Sequence, residues 1–262
     1  MPLVNLAVAN RVATITLDNP PLNLVNVDLL RELESAIDAV IADPAVRVVI
    51  LTGAGERAFC AGSNLNDTLA LKLAGRFVEA KLAYETSVFT KLANAPKPTI
   101  AAVRASALGG GLELMACCDM AIVASGARFG LPEIHIAGFP PTGAVRVARA
   151  IGPVRAREMV LLGNPIDAET ALRWGLVTRV VGGAEVMDEA LRLATELAGR
   201  PARAMQYGKR ALQLGSDLPA EDALREILKL SDALSRTADG IEGAKAFVSK
   251  RAPHFVDVAK LG

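Results

Sequence analysis

The spacing of apolar residues changes several times along the chain. Leu3–Val8 and Val12–Leu17 predict two short strands around a turn at Ala9–Arg11, and Asn19-Pro20-Pro21 then breaks the pattern. From Val27 to Ile41 the apolar positions recur at helical spacing, and Pro44 follows. Val46–Thr52 is β-branched and almost wholly apolar, as in a strand covered on both faces. A glycine-rich loop, Gly53–Gly62, comes next. Helical patterning resumes from Thr68 to Leu92 and is closed by Pro96 and Pro98. Thr99–Val103 and Met120–Ala124 read as strands; between them Gly109-Gly110-Gly111 opens a short apolar helix ending near Cys118. This half therefore repeats strand, strand, helix, which is α/β patterning. Beyond Gly143 helices dominate, over 144–151, 154–162, 168–174, 186–197, 201–214, 220–235 and 241–251, with one strand at Leu176–Val181.

Composition narrows the picture. Hydrophobic residues make up 52% of the 262 positions and aromatics only 4%, so a large core is expected, built mainly from Ala, Val, Leu and Ile. Lys+Arg 29 against Asp+Glu 28 leaves a net charge of +1, without the basic bias of a nucleic-acid binder. The most apolar stretch, 98–125, is interrupted by Arg104, three glycines, Glu113 and Asp119, and is not a membrane span. The opening MPLVNLAVAN lacks a secretory pattern. Cys60, Cys117 and Cys118 form neither a disulfide framework nor a zinc spacing; they are expected to be reduced and buried, which fits a cytoplasmic location. No metal ligand set is expected.

Three segments could carry chemistry. In GAGERAFCAGSNLND (Gly53–Asp67) the glycines permit a loop that aims backbone N–H groups at a ligand. Gly53, Gly55 and Ala58 also fit GxGxxA, the dinucleotide fingerprint, but that motif needs a helix opening at the loop, and AFCAGSNLN has no such pattern. In ASALGGGLEL (Ala105–Leu114) a strand leads through three glycines into a helix, an arrangement suited to an oxyanion hole. Glu113 lies in that helix's first turn among apolar neighbours. In RFGLPEIHIAGFPPTG (Arg128–Gly143), Glu133 supplies a second carboxylate, so acid and base roles could be paired. His135 and His254 are read as ordinary structural or surface residues, and Trp174 as a packing residue.

In this order and spacing, these segments resemble the crotonase (enoyl-CoA hydratase/isomerase) superfamily. The likeness runs from VANRVATITLDNPPLN to ALRWGLVTRVV and GIEGAKAFVSKRAPHF. It implies an α/β crotonase fold: a spiral of strand-strand-helix units, here 1–198, and a helical C-terminal trimerisation region, 199–262, giving homotrimers or homohexamers. It implies an acyl-CoA thioester substrate of fatty-acid type and no further cofactor. Ser63 and Gly110 match the oxyanion-hole N–H donors. Glu113 and Glu133 match the two glutamates of the hydratase branch, with Glu113 as base to water and Glu133 as proton donor to the α-carbon. Leu24, Ser63, Asn64, Leu65 and Asn66 match CoA contacts, as do Phe247 and Lys250, sometimes from a neighbouring subunit. Ser63-Asn64 stands where the family usually has Ala-Asp, removing a charge. Pro140-Pro141 resembles the branch with cyclic dienoyl-CoA hydratases. A crotonase-fold isomerase or hydrolase, an acyl-CoA binder without turnover, and an NAD-binding protein are the alternatives.

Overall fold

A computed structural model describes residues 2–255. The chain opens with β1 (Val4–Ala9) and β2 (Val12–Leu17), paired antiparallel with Val4 opposite Leu17. Helix α1 (Val27–Ala42) follows. Asn26 caps it by accepting the Leu29 N–H at 2.8 Å, and a stripe of Leu29, Leu30, Leu33, Ile37 and Val40 is buried. Next come β3 (Val48–Gly53), β4 (Ala58–Cys60), α2 (Leu65–Leu73) and α3 (Ala83–Ala93). A third set contains β5 (Thr99–Val103), β6 (Ser106–Leu108) and α4 (Gly110–Met115); a fourth contains β7 (Met120–Ala124), β8 (Arg128–Gly130), α5 (Pro141–Ile151) and α6 (Pro153–Leu162). The remainder is β9 (Ile166–Asp167), α7 (Ala168–Trp174), β10 (Arg179–Val181), α8 (Val186–Ala198), α9 (Ala202–Asp217), α10 (Ala220–Ser235) and α11 (Ala238–Val248).

Two sheets result, with strand orders β1-β2-β3-β5-β7-β10 and β4-β6-β8-β9. Successive turns of chain place one strand in each sheet: β3 then β4, β5 then β6, β7 then β8. That is the expected spiral. From β2 through β10 the large sheet is parallel, and β3 and β5 are buried at every position. Such strands read as unbroken apolar runs because helices cover both faces; α8 lies across β2, β3, β5 and β7, and α1 packs on β1, β2 and α3. Helix α9 is tied to this core by Lys209, whose ammonium donates to Asp119 at 2.8 Å, and by Gln213, which donates to the Ala93 carbonyl at 2.8 Å.

Several expected elements differ. The loop Gly53–Gly62 contains β4, and β6, β8 and β9 add strands of two or three residues that carry no readable alternation. The helix expected over 68–92 is divided. After α2 the chain passes Gly75 at φ 67°, forms a π-helical turn at Val78–Leu82 and only then enters α3. The last helix lies three residues earlier than expected at each end, capped by Thr237, which accepts the Gly240 N–H at 3.0 Å. Among the described residues no helix is long and apolar enough to cross a membrane.

The tightest approach between the small sheet and a helix is at Gly111. A methyl group there would lie 2.0 Å from the Cys60 carbonyl oxygen, a backbone atom that cannot swing aside. Gly111→Ala is expected to destabilise the fold by about 3 kcal/mol, read as a lowered urea midpoint; an unchanged midpoint would show that α4 does not sit on β4 this closely.

Candidate active site

Gly62, at φ 93°, ends the loop after β4 and lies directly on the glycine turn before α4; a methyl on it would meet the Leu108 carbonyl at 3.0 Å and the Gly110 nitrogen at 3.4 Å. Ser63 and Gly110 are thereby brought side by side. No backbone carbonyl of the described residues accepts from the N–H of either one. Both residues line a cavity of about 790 Å³, together with Leu24, Asn64, Leu65 and Asn66. Its walls are largely apolar, with Leu22, Phe77, Val78, Leu82, Ile136, Phe139, Pro140 and Pro141 among them. Convergent polar groups in an apolar cleft are the usual form of a small-molecule site.

Glu113 projects into this cavity from α4 and is 4% exposed. Its Oε1 accepts the Gly143 N–H at 2.7 Å. Burial pushes its carboxyl up to about 7, against the lowering effect of that N–H, and the nearby Glu85 and Glu133 charges add to the rise. Glu133 stands in a 3-10 turn, Pro132–Ile136, rather than an irregular loop. Burial and the Glu85 charge also raise its carboxyl. Its Oε2 is buried with no hydrogen-bond partner among the described residues. Glu133 reaches Gly109 so closely that a methyl there would lie 2.9 Å from Oε1, and Gly109 has φ 55°, so both the space and the backbone call for glycine.

The expected site residues separate into two groups. Glu113, Glu133, Ser63, Gly110, Leu24, Asn64, Leu65 and Asn66 all line the one cavity. Asn64 also caps α2, accepting the Asn66 N–H at 3.0 Å. Phe247 and Lys250 lie at the end of α11, outside this lining, and Phe247 is 86% exposed. The dinucleotide alternative fails locally, because Ala58 begins β4 where the fingerprint requires a helix. Cys60 and Cys117 are buried and Cys118 half-buried, all free thiols. His135 lines the cavity mouth and is exposed, and His254 uses its backbone N–H on Glu242 at the surface. Trp174 packs beneath the Arg155 guanidinium, 5.7 Å from its ring centre.

Sequence reasoning missed three residues of this site. Asn23 is fully buried, and its amide donates to the carbonyls of Ala54 and Ala58 at 3.0 Å and Phe59 at 3.2 Å, holding the loop that leads to Ser63. Lys81 and Glu85 form a buried ion pair beside the cavity. Asn23 lies in the loop around Pro21–Leu24 that resembles a CoA contact, but nothing in the sequence marked it as the residue holding the Ser63 loop, and Lys and Glu at this spacing normally mark a solvated helix face.

Three comparisons bear on this arrangement. The family model described as Enoyl-CoA hydratase/isomerase matches residues 7–258. A probable enoyl-CoA hydratase of Rhizobium meliloti (strain 1021) is 40% identical over 247 residues, covering 94% of each chain. The carnitinyl-CoA dehydratase of Escherichia coli (strain K12) is 38% identical over 245 residues, covering 91% of this chain and 92% of that one. The crystal structure of an enoyl-CoA hydratase from Bacillus anthracis matches with a TM-score of 0.89 at 32% identity, over 97% of this chain and 98% of that chain.

Because the Glu113 carboxyl is raised from 4.5 to about 7, the folded chain holds a proton there that the unfolded chain has released. The stability this contributes is present below pH 4.5 and is lost as pH rises through 7. Glu113→Gln, neutral at every pH, is therefore expected to exceed the wild type at pH 8 by on the order of 3 kcal/mol, with a much smaller gap at pH 5. Urea titrations at the two pH values measure this; equal gaps would mean that Glu113 is not desolvated as described.

Proposed function

The chain belongs to the enoyl-CoA hydratase/isomerase family, and within it we propose a hydro-lyase that adds water across the double bond of a 2-enoyl-CoA thioester. The observation that carries this reading is the pair of glutamates, Glu113 and Glu133, placed with the Ser63 and Gly110 N–H groups in one apolar cavity.

The chemistry follows from charge. The Lys81 ammonium balances the Glu85 carboxylate. Among the described residues no cation pairs with Glu113 or Glu133; burial raises both carboxyls and the Glu133 charge adds to the rise at Glu113, and in the proposed cycle the two share one proton. One member is then a base and the other an acid, the division of labour that hydration needs. In the proposed cycle ionised Glu113 takes a proton from water as the water oxygen bonds to C3 of the acyl chain. The double-bond electrons move to C2 and onto the thioester oxygen. The N–H groups of Ser63 and Gly110 hold that developing negative oxygen, each donor of this kind being worth about 3 kcal/mol in the transition state. Protonated Glu133 delivers its proton to C2. Passing the proton gained by Glu113 back to Glu133 completes the cycle, which needs no metal and no redox cofactor. Dehydration of a 3-hydroxyacyl-CoA is the same path reversed, the direction named for the carnitinyl-CoA dehydratase relative.

Leu24 and Ser63–Asn66 are proposed to hold the CoA portion at the cavity mouth. Phe247 and Lys250 would do so from a neighbouring subunit, since they lie outside the cavity of their own chain. A trimer or hexamer is supported by the apolar side chains that the last helices leave exposed: Leu212, Leu224, Leu228, Phe247 and Val248. Pro140 and Pro141, beside Phe139, form part of the acyl wall.

Hydration of crotonyl-CoA removes the ultraviolet absorbance of its conjugated thioester. Wild type is expected to lose this signal with time, and Glu113→Gln and Glu133→Gln to slow it by about 10²-fold or more each. Near-wild-type rates in either variant would remove that residue from the mechanism. In wild type kcat/KM is expected to fall below pH 7, where Glu113 becomes protonated; a flat profile from pH 5 to 8 would contradict a Glu113 base.

A further inference from the structure

The acyl cavity contains a third carboxylate that the hydration mechanism does not use. Glu85, on the first turn of α3, is 3% exposed, and what it exposes lines the cavity. Its Oε2 is bonded to the ammonium of Lys81, which is fully buried and also donates to the Ser63 hydroxyl at 2.8 Å. Lys81 comes from the π-helical turn Val78–Leu82, a conformation uncommon in helices and frequent at functional sites. A buried ion pair gives little net stability over apolar side chains of the same volume, so stability alone does not account for it.

The orientation is specific. Lys81 holds Oε2, and the other oxygen, Oε1, faces Gly110; a methyl on Gly110 would lie 3.3 Å from Glu85 Oε1 and 3.9 Å from Glu113 Oε2. The two carboxylates thus flank the same small volume above the Gly110 backbone. Glu85 Oε1 accepts no hydrogen bond among the described residues. Leu82, Phe77 and Val78 line the cavity beside it, and α2 contributes Thr68 and Lys72, whose ammonium lies 5.4 Å from the Phe77 ring centre. A plain alkyl chain would cover Oε1 and strand a desolvated carboxylate oxygen. A hydroxyl group would satisfy it, and an acidic group would be repelled by Glu85, Glu113 and Glu133 together.

We propose that Glu85 is a specificity-determining residue, held by Lys81 so that Oε1 selects enoyl-CoA esters bearing a hydroxyl beside the carbon that is hydrated over unsubstituted alkyl esters. This rests on the hydratase reading for where the acyl chain lies.

The test compares esters that differ by one hydroxyl. Butyryl-CoA and 4-hydroxybutyryl-CoA, which have no double bond to hydrate, are titrated calorimetrically into wild type and the double variant Lys81→Met/Glu85→Leu. Crotonyl-CoA and its 4-hydroxy derivative are compared by kcat/KM. Wild type is expected to favour the hydroxylated member of each pair by about tenfold or more, as for a hydrogen bond to a charged acceptor. The double variant is expected to lose that preference while binding butyryl-CoA at least as well as wild type. Equal affinity of wild type for the saturated pair overturns the assignment without any variant being made, and so does a preference that survives the double substitution. A tenfold binding preference without hydration of either unsaturated ester supports the assignment and overturns the hydration reading instead.

Discussion

Gly62, at φ 93°, rests against Gly109 and Gly110, where a methyl on it would lie 3.0 Å from the Leu108 carbonyl oxygen. This contact joins two successive turns of the spiral, because Gly62 follows β4 and Gly109 follows β6, and those strands are parallel neighbours. It also brings Ser63 and Gly110 to the wall of one cavity. Asn23 holds the first loop from behind through three carbonyls, and α4 is seated on β4 at Gly111. The architecture therefore serves mainly to keep two short backbone segments in register, which loops alone would not do.

Burial around that contact gives the site its chemistry. Glu85, Glu113 and Glu133 share a cavity with largely apolar walls, and the buried ammonium of Lys81 is bonded to Glu85. Burial raises the carboxyls of Glu113 and Glu133, the Glu85 charge adds to both rises, and the Glu133 charge adds to that of Glu113. Glu113, raised to about 7, therefore keeps its proton well above the ordinary carboxylate range. The cost falls on the stability of the fold, a common arrangement where carboxylates are tuned for acid and base work.

Much of this was legible in the sequence, for identifiable reasons. Helices Ala168–Trp174 and Ala220–Ser235 were read at the bounds observed, since Asp167 with Gly175 and Pro219 punctuate them locally. Buried parallel strands such as Val48–Gly53 stand out as apolar runs. Glu113 and Glu133 were noticeable because each is a charge beside apolar or glycine-rich sequence. The small sheet was not legible: Ala58–Cys60, Ser106–Leu108 and Arg128–Gly130 are too short to show a period, and only the large sheet aligns them. The break at Gly75 was hidden by apolar residues on either side, several of which, Leu69 and Leu73 among them, face outward. Lys81 and Glu85 were invisible for a related reason. Spaced four apart on a helical pattern they look like a surface pair, and only the fold turns them inward.

The most direct test of the central claim follows the oxygen of water. The enzyme is incubated with a 2-enoyl-CoA in water enriched in oxygen-18, and the products are separated and weighed by mass spectrometry. Addition of water by Glu113 and Glu133 places one heavy oxygen on C3 of an intact 3-hydroxyacyl-CoA. Heavy oxygen found only in a released carboxylic acid would identify thioester hydrolysis. A shifted double bond with no heavy oxygen would identify isomerisation. Either result would contradict hydration by the two glutamates.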